Sequence, residues 1–170
     1  MTVLKCAGLG LQPGGAYEKG TDGTMKIAMG ADHGGYSLQE VVKKHLVEAG
    51  HEVLDLGTHD TESCNYPVYA EKVAYAVADK DADLGVLICG TGIGMSIAAN
   101  KVKGIRAAAV SDCFTAQATR EHNDSNIICL GERIVGPGLA MRIVDTWLEA
   151  SFQGGRHQTR VDMITELENN

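Results

Sequence analysis

Residues 88–100, ICGTGIGMSIAAN, run from the apolar end of a strand into Cys89, through Gly90, Thr91, Gly92, Ile93 and Gly94, and on into a helix of small residues. This junction decides the fold, because a short apolar strand, a glycine turn and a helix form the repeating unit of a parallel sheet covered on both faces. The same alternation extends in both directions. Strand character marks KIAMGA (26–31), EVLDLG (52–57), DLGVLIC (83–89), IRAAAV (105–110) and NIICLG (126–131). Helical patterns fill 36–49, 67–79, 92–100, 112–121 and 137–150, and a last amphipathic helix starts at about 158, with Val161, Ile164 and Leu167 as its expected docking face. The fold class predicted is α/β: a single-domain, doubly wound, Rossmann-like α/β/α sandwich around a five-stranded parallel sheet. In such sheets ligands bind beyond the carboxyl ends of the strands, which singles out Asp32, His33, Cys89, Asp112 and Arg133.

Bulk composition narrows the partners. A chain of 170 residues with 44% hydrophobic content suits one domain with a sizeable core. Residues 1–24 carry six glycines and few large apolar groups, so they are expected to be an N-terminal extension to a domain spanning 25–170. A net charge of -7, with no basic stripe, argues against nucleic acid or an anionic membrane as the main partner. Five cysteines without close pairing resemble reduced thiols rather than a disulfide framework, and no signal peptide or membrane-length apolar run is evident, so the expected location is cytoplasmic.

Three clusters have chemical promise. At Cys89 a helix start supplies unpaired N–H groups and a positive dipole end, which favour a thiolate and stabilise a nearby anion, and the glycines admit a ligand to the backbone. GTGIGM is not a dinucleotide fingerprint, since Met95 stands where the third glycine belongs; a Walker loop's Lys-Ser/Thr ending is also missing. Asp32 and His33 in GADHGGY end the first strand beside Gly34 and Gly35, where Asp32 would cap a helix and His33 could meet phosphate or sugar oxygens. His122 and Asn123 precede the fifth strand, and His122 becomes a proton-transfer candidate if it lies near Cys89. In GGRHQTRV, Arg156 and Arg160 stand four apart and share a helical face suited to a phosphate dianion, with Arg133 and His33 as further donors. His157 lies between these arginines without an evident partner, and Cys6, Cys64, Cys113 and Cys129 read as incidental or core thiols. No metal-ligand spacing or nucleophile elbow occurs.

GADHGGY, DLGT, the Tyr66-Pro67 pair, CGTGIGMSIAANK, GIRAA, EHNDSN and GGRHQTRV together resemble the ribose-5-phosphate isomerase B family, the RpiB/LacAB sugar-phosphate isomerases, over roughly residues 25–168. The resemblance implies a metal-independent, cofactor-free aldose–ketose isomerase whose type reaction interconverts D-ribose 5-phosphate and D-ribulose 5-phosphate through an enediolate. It also implies the residue roles. Cys89 would be the base, and Thr91 with the Gly90, Gly92 and Gly94 loop would stabilise the oxyanion. His122 would open the furanose ring, Asp32 would hold the ring oxygens, Asn123 the enediolate side, and Tyr66 would touch the substrate. His33, Arg133, Arg156 and Arg160 would grip the phosphate. Members of the family are homodimers or homotetramers with the site at the subunit interface, which would bring Arg133 and His122 from the neighbour. A six-carbon sugar phosphate (allose or galactose 6-phosphate) or another aldose is the alternative substrate, and a non-catalytic phosphate-binding module is the alternative of another class.

Overall fold

Five parallel strands lie in the order β2-β1-β3-β5-β4, with β1 at Lys26–Ala31, β2 at Glu52–Asp55, β3 at Leu84–Cys89, β4 at Ala107–Ala109 and β5 at Ile127–Gly131. Among the described residues six helices accompany them: α1 (Tyr36–Glu48), α2 (Tyr66–Ala78), α3 (Ile93–Ala99), α4 (Cys113–Asn123), α5 (Pro137–Glu149) and α6 (Arg156–Leu167). This computed structural model describes residues 23–169, so the expected N-terminal extension over 1–24 lies almost wholly outside the described residues. The expected five-stranded doubly wound sheet is present.

Alternation along the central strands builds two apolar layers. Leu84, Val86 and Ile88 of β3 join Ile128 and Leu130 of β5 under α1 and α5, where Val42, Leu46, Ile143 and Trp147 complete the layer. Leu87 and Cys89, with Ile127 and Cys129, point to the other face and meet Ala70, Val73 and Val77 of α2 and Met95 and Ala99 of α3. The only polar atom of the Trp147 ring, Nε1–H, donates to Ser125 Oγ at 2.8 Å, which offsets the cost of burying it in this fully buried side chain. Among the described residues no helix is long and apolar enough to cross a membrane.

Three boundaries differ from the expectation, each for a local reason. β4 is three residues rather than six because the Ile105 amide turns back to Val102 O and the Arg106 amide is taken by Asn126 Oδ1. α4 runs on to Asn123, since Arg120 pairs with Asp124 and Asp124 adopts φ 47° to close the helix, so His122 and Asn123 belong to its last turn. α6 packs through Val161 and His157, one turn apart, whereas Ile164 and Leu167 are exposed. The apolar stripe expected to dock that helix is therefore only partly used.

Candidate active site

The loops after β1 and β3 meet at the switch point of the sheet. A Cβ on Gly35 would stand 2.6 Å from the Ile88 carbonyl carbon and oxygen, so only glycine lets the 32–35 loop press against the end of β3. That loop carries Asp32, which is buried, and whose Oδ1 accepts the Gly34 N–H at 2.9 Å. Asp32 thus folds its own loop and does not cap α1; the amide of Leu38 in the first turn of that helix donates instead to Glu132 Oε2 at 2.9 Å, from the loop after β5. His33 Nδ1 accepts the Cys64 N–H at 3.2 Å, which puts the proton of the neutral ring on Nε2. Cys64 Sγ lies 3.8 Å from the same nitrogen and hydrogen-bonds Tyr69, a contact that raises the phenol above its usual range.

Cys89 closes β3 with 6% of its surface exposed, and its Sγ accepts the Gly92 N–H at 3.1 Å. An N–H aimed at sulfur supports negative charge there. Gly92 makes this possible with φ +77°, a conformation that side chains strain, and a Cβ there would also meet Cys129 O at 3.0 Å. Thr91 crosses Gly131 so closely that a Cβ on the latter would stand 2.7 Å from the Thr91 Cα, and the Tyr66 ring lies against Gly94. By contrast Cys129 is fully buried, and burial, with Cys89 adding to it, pushes its thiol far up out of the reactive range.

Arg133 belongs to the same group. Its amide donates to Gly90 O at 3.1 Å, and its Nε lies 3.4 Å from the position of a Gly90 Cβ. The expectation that the neighbour supplies Arg133 is corrected by this placement, because the short turn after β5 folds the arginine back over the Cys89 loop of its own chain. Asp112, also at this edge, accepts from Thr115 N at 2.8 Å as the N-cap of α4, and those bonds hold its carboxyl below the usual range.

The remaining residues lie at the opposite edge. α4 runs back antiparallel to the strands, so its last turn, with His122 and Asn123, comes to rest where β4 and β5 begin; the Asn126 amide there donates to Arg106 O. Arg106 Nε donates to the carbonyls of Asn123 at 3.1 Å and Asp124 at 2.9 Å, fixing that turn. α6 lies along the same edge. At its start the Gln153 amide donates to Glu121 O and the His157 ring stacks on His122, and at its end Glu168 accepts the Gly104 amide. Arg156 and Arg160 ride on this helix.

One chain therefore gathers Asp32, His33, Tyr66, Cys89, Gly90, Thr91, Gly92, Gly94 and Arg133 at the carboxyl edge of the sheet, and His122, Asn123, Arg156 and Arg160 at the amino edge. Sequence reading gave no role to Glu132 and Arg106 and no partner to Cys64 and His157, because each makes its contact with a residue far away in the chain. Among the described residues no group of three or more His, Cys, Asp or Glu side chains is placed to hold a metal ion.

Comparison with known proteins gives the family of the chain. The model of the Ribose/Galactose Isomerase family matches residues 27–164. The chain belongs to this family. It is 54% identical over 143 residues to ribose-5-phosphate isomerase B of Escherichia coli, covering 84% of this chain and 96% of that protein. The solved ribose-5-phosphate isomerase B of Clostridium thermocellum superposes with a TM-score of 0.85 at 56% identity, covering 85% of this chain and 98% of that one. That of Mycoplasma genitalium, solved with bound ribulose-5-phosphate, gives a TM-score of 0.82 at 42% identity, covering 85% and 97%. As a member of the ribose/galactose isomerases, the chain carries the family's fold over nearly all the described residues.

Proposed function

We propose that residues 25–170 form an aldose–ketose isomerase that interconverts D-ribose 5-phosphate and D-ribulose 5-phosphate, with two copies of the chain completing each site. The observation that carries this reading is Cys89 Sγ under the Gly92 N–H, at the mouth of a glycine loop shared with Asp32, Tyr66 and Arg133. Relatives bearing that activity match the chain along almost their whole length.

The chemistry follows from the groups available. The substrate enters as a closed furanose. His122 gives a proton to the ring oxygen as its bond to C1 breaks, and Asp32 takes the C1 hydroxyl proton, leaving a neutral open-chain aldehyde. Cys89 as thiolate removes the proton from C2, and the electron pair moves through C1 onto O1 to give the enediolate. The Gly90–Gly94 amides and Thr91 stabilise that charge, with Asn123 on the enediolate side. The thiol returns its proton to C1, and the O2 hydroxyl loses its proton as O1 gains one, which yields the ketose. Tyr66 contacts the sugar, while His33, Arg133, Arg156 and Arg160 hold the phosphate.

Pairing of two copies is supported by the apolar surface each edge leaves uncovered. Ile93 and Ile97 are exposed on α3, which opens from the Cys89 loop, Phe114 is 79% exposed at the start of α4, and Met163, Ile164 and Leu167 are exposed on α6. Bringing α6 of one copy to α3 of another would bury both sets and carry His122, Asn123, Arg156 and Arg160 to the neighbour's Cys89. Turnover of ribose 5-phosphate measured against six-carbon sugar phosphates, with chelator present, tests the reading. The highest kcat/KM is expected for ribose 5-phosphate; preference for a six-carbon phosphate reassigns the substrate, and no turnover of any aldose phosphate overturns the enzyme reading.

A further inference from the structure

The His122 and His157 rings lie 4.3 Å apart between centroids and within 7° of parallel. Sequence reading left His157 without a partner, and the mechanism above does not use it. Yet His157 is only 7% exposed, and it is the residue through which the first turn of α6 touches the last turn of α4.

Its surroundings favour one state. Arg156 Nε–H points at His157 Nε2 across 3.5 Å. A guanidinium can only donate, so Nε2 must keep its lone pair, and the ring proton of a neutral His157 sits on Nδ1. Burial, followed by His122, Arg156 and Arg160, also pulls the His157 imidazole below its ordinary protonation range. These are the charged and titratable groups facing the ring from α4 and α6. The nearby Glu121 carboxylate is taken up by the side-chain amides of Gln117 and Gln153, and Asp124 is held by Arg120 and Arg106.

We propose that His157 is the positioning residue of His122: a neutral imidazole, anchored by Arg156, whose flat face fixes the plane of the His122 ring and leaves any proton carried by the stacked pair on His122. Two imidazolium rings at this separation would repel each other, so the stack disfavours charge on both rings together. His122 projects from a helix end, where an unsupported ring rotates freely about its side-chain bonds; the stacked face removes that freedom. The inference rests on the reading of His122 as the group that opens the sugar ring.

Nitrogen NMR of the labelled full-length protein across a pH titration reads the pair without reference to turnover. His157 is expected as the Nδ1–H tautomer and neutral while His122 takes the first proton. An Nε2–H tautomer for His157, or protonation of His157 before His122, overturns the proposal. Kinetics on ribose 5-phosphate then test the consequence. His157→Ala is expected to lower kcat about ten- to hundredfold with KM changed little, as befits a misplaced group, and His157→Phe, which retains a flat face, is expected to recover part of that loss. In the His122→Ala background, His157→Ala is expected to cost nothing further. A His157→Ala effect confined to KM identifies a phosphate ligand instead and overturns the proposal, as does an additional loss in the double variant. If His122→Ala leaves kcat intact, the ring-opening reading fails, and that result is separate from the nitrogen spectrum, which judges His157 itself.

Discussion

The two edges of the sheet gather different kinds of groups, and they are built differently. At the carboxyl edge, three loops and a helix start converge on Cys89 through backbone contacts so close that Gly35, Gly92 and Gly131 have no room for a side chain. At the amino edge, side chains set the character: a histidine stack between α4 and α6, an arginine pair on α6 and the Arg106–Asp124 clamp at the end of α4. A backbone-built pocket suits bond making, because its amides are already aimed and need no reorganisation. A side-chain cluster rich in cations suits a dianion that remains unchanged throughout the reaction. Under the proposed reading neither edge is complete alone: the carboxyl edge brings the base and aimed amides with His33 and Arg133 for the phosphate, and the amino edge brings His122 and Asn123 with two further arginines.

The difference is open to test. The largest effect is expected at Cys89: Cys89→Ala should fold normally and lose about 10²- to 10⁴-fold in kcat, the usual contribution of a general base, as read by steady-state kinetics alongside circular dichroism. Near-normal turnover would remove the carboxyl edge from the chemistry. At the other edge, Arg160→Ala should act mainly on KM for ribose 5-phosphate, raising it about ten- to hundredfold, the worth of one hydrogen bond to a charged group. A loss in kcat alone would erase the division of labour.

The smallest effect concerns stability. Because the His157 imidazole is held below its ordinary value of 6.5 in the fold, the unfolded chain binds the extra proton first. Its contribution to stability is therefore fully present above about pH 6.5 and falls away as the solution is acidified through the lower folded value. Urea midpoints at pH 7.5 and 5.5 should show this decline, and His157→Phe should flatten it. An unchanged slope in that variant would place the acid sensitivity elsewhere.

Most of the architecture was legible because strand and helix periods alternate cleanly and glycines mark each strand end. Cys89, Asp32 and His33 were legible for the same reason, since a residue at the end of a parallel strand has a known address. Arg133 was assigned to the wrong subunit, because nothing in its sequence neighbourhood reports that its turn folds back over Gly90. His157 showed no partner because its stacking ring lies on another helix, at His122. The α6 stripe misled for a different reason: Ile164 and Leu167 have the right spacing for a core but face outward, as a surface reserved for a second copy would.

In the proposed isomerase one site needs both edges, each from a different chain. Cys89→Ala and the double variant Arg156→Ala/Arg160→Ala, mixed in equal amounts, unfolded and refolded together, form mixed dimers in which one site carries all the lesions and the other none. With random pairing about half of the dimers are mixed, and each has one intact site of two, so about a quarter of wild-type activity should return at low ribose 5-phosphate. Cys89→Ala mixed with Arg133→Ala should restore none, because both residues come from the same edge of one chain. Recovery with Arg133→Ala would place Arg133 across the interface, and no recovery with the α6 variant while mass measurement confirms mixed dimers would show that the two edges do not meet between chains.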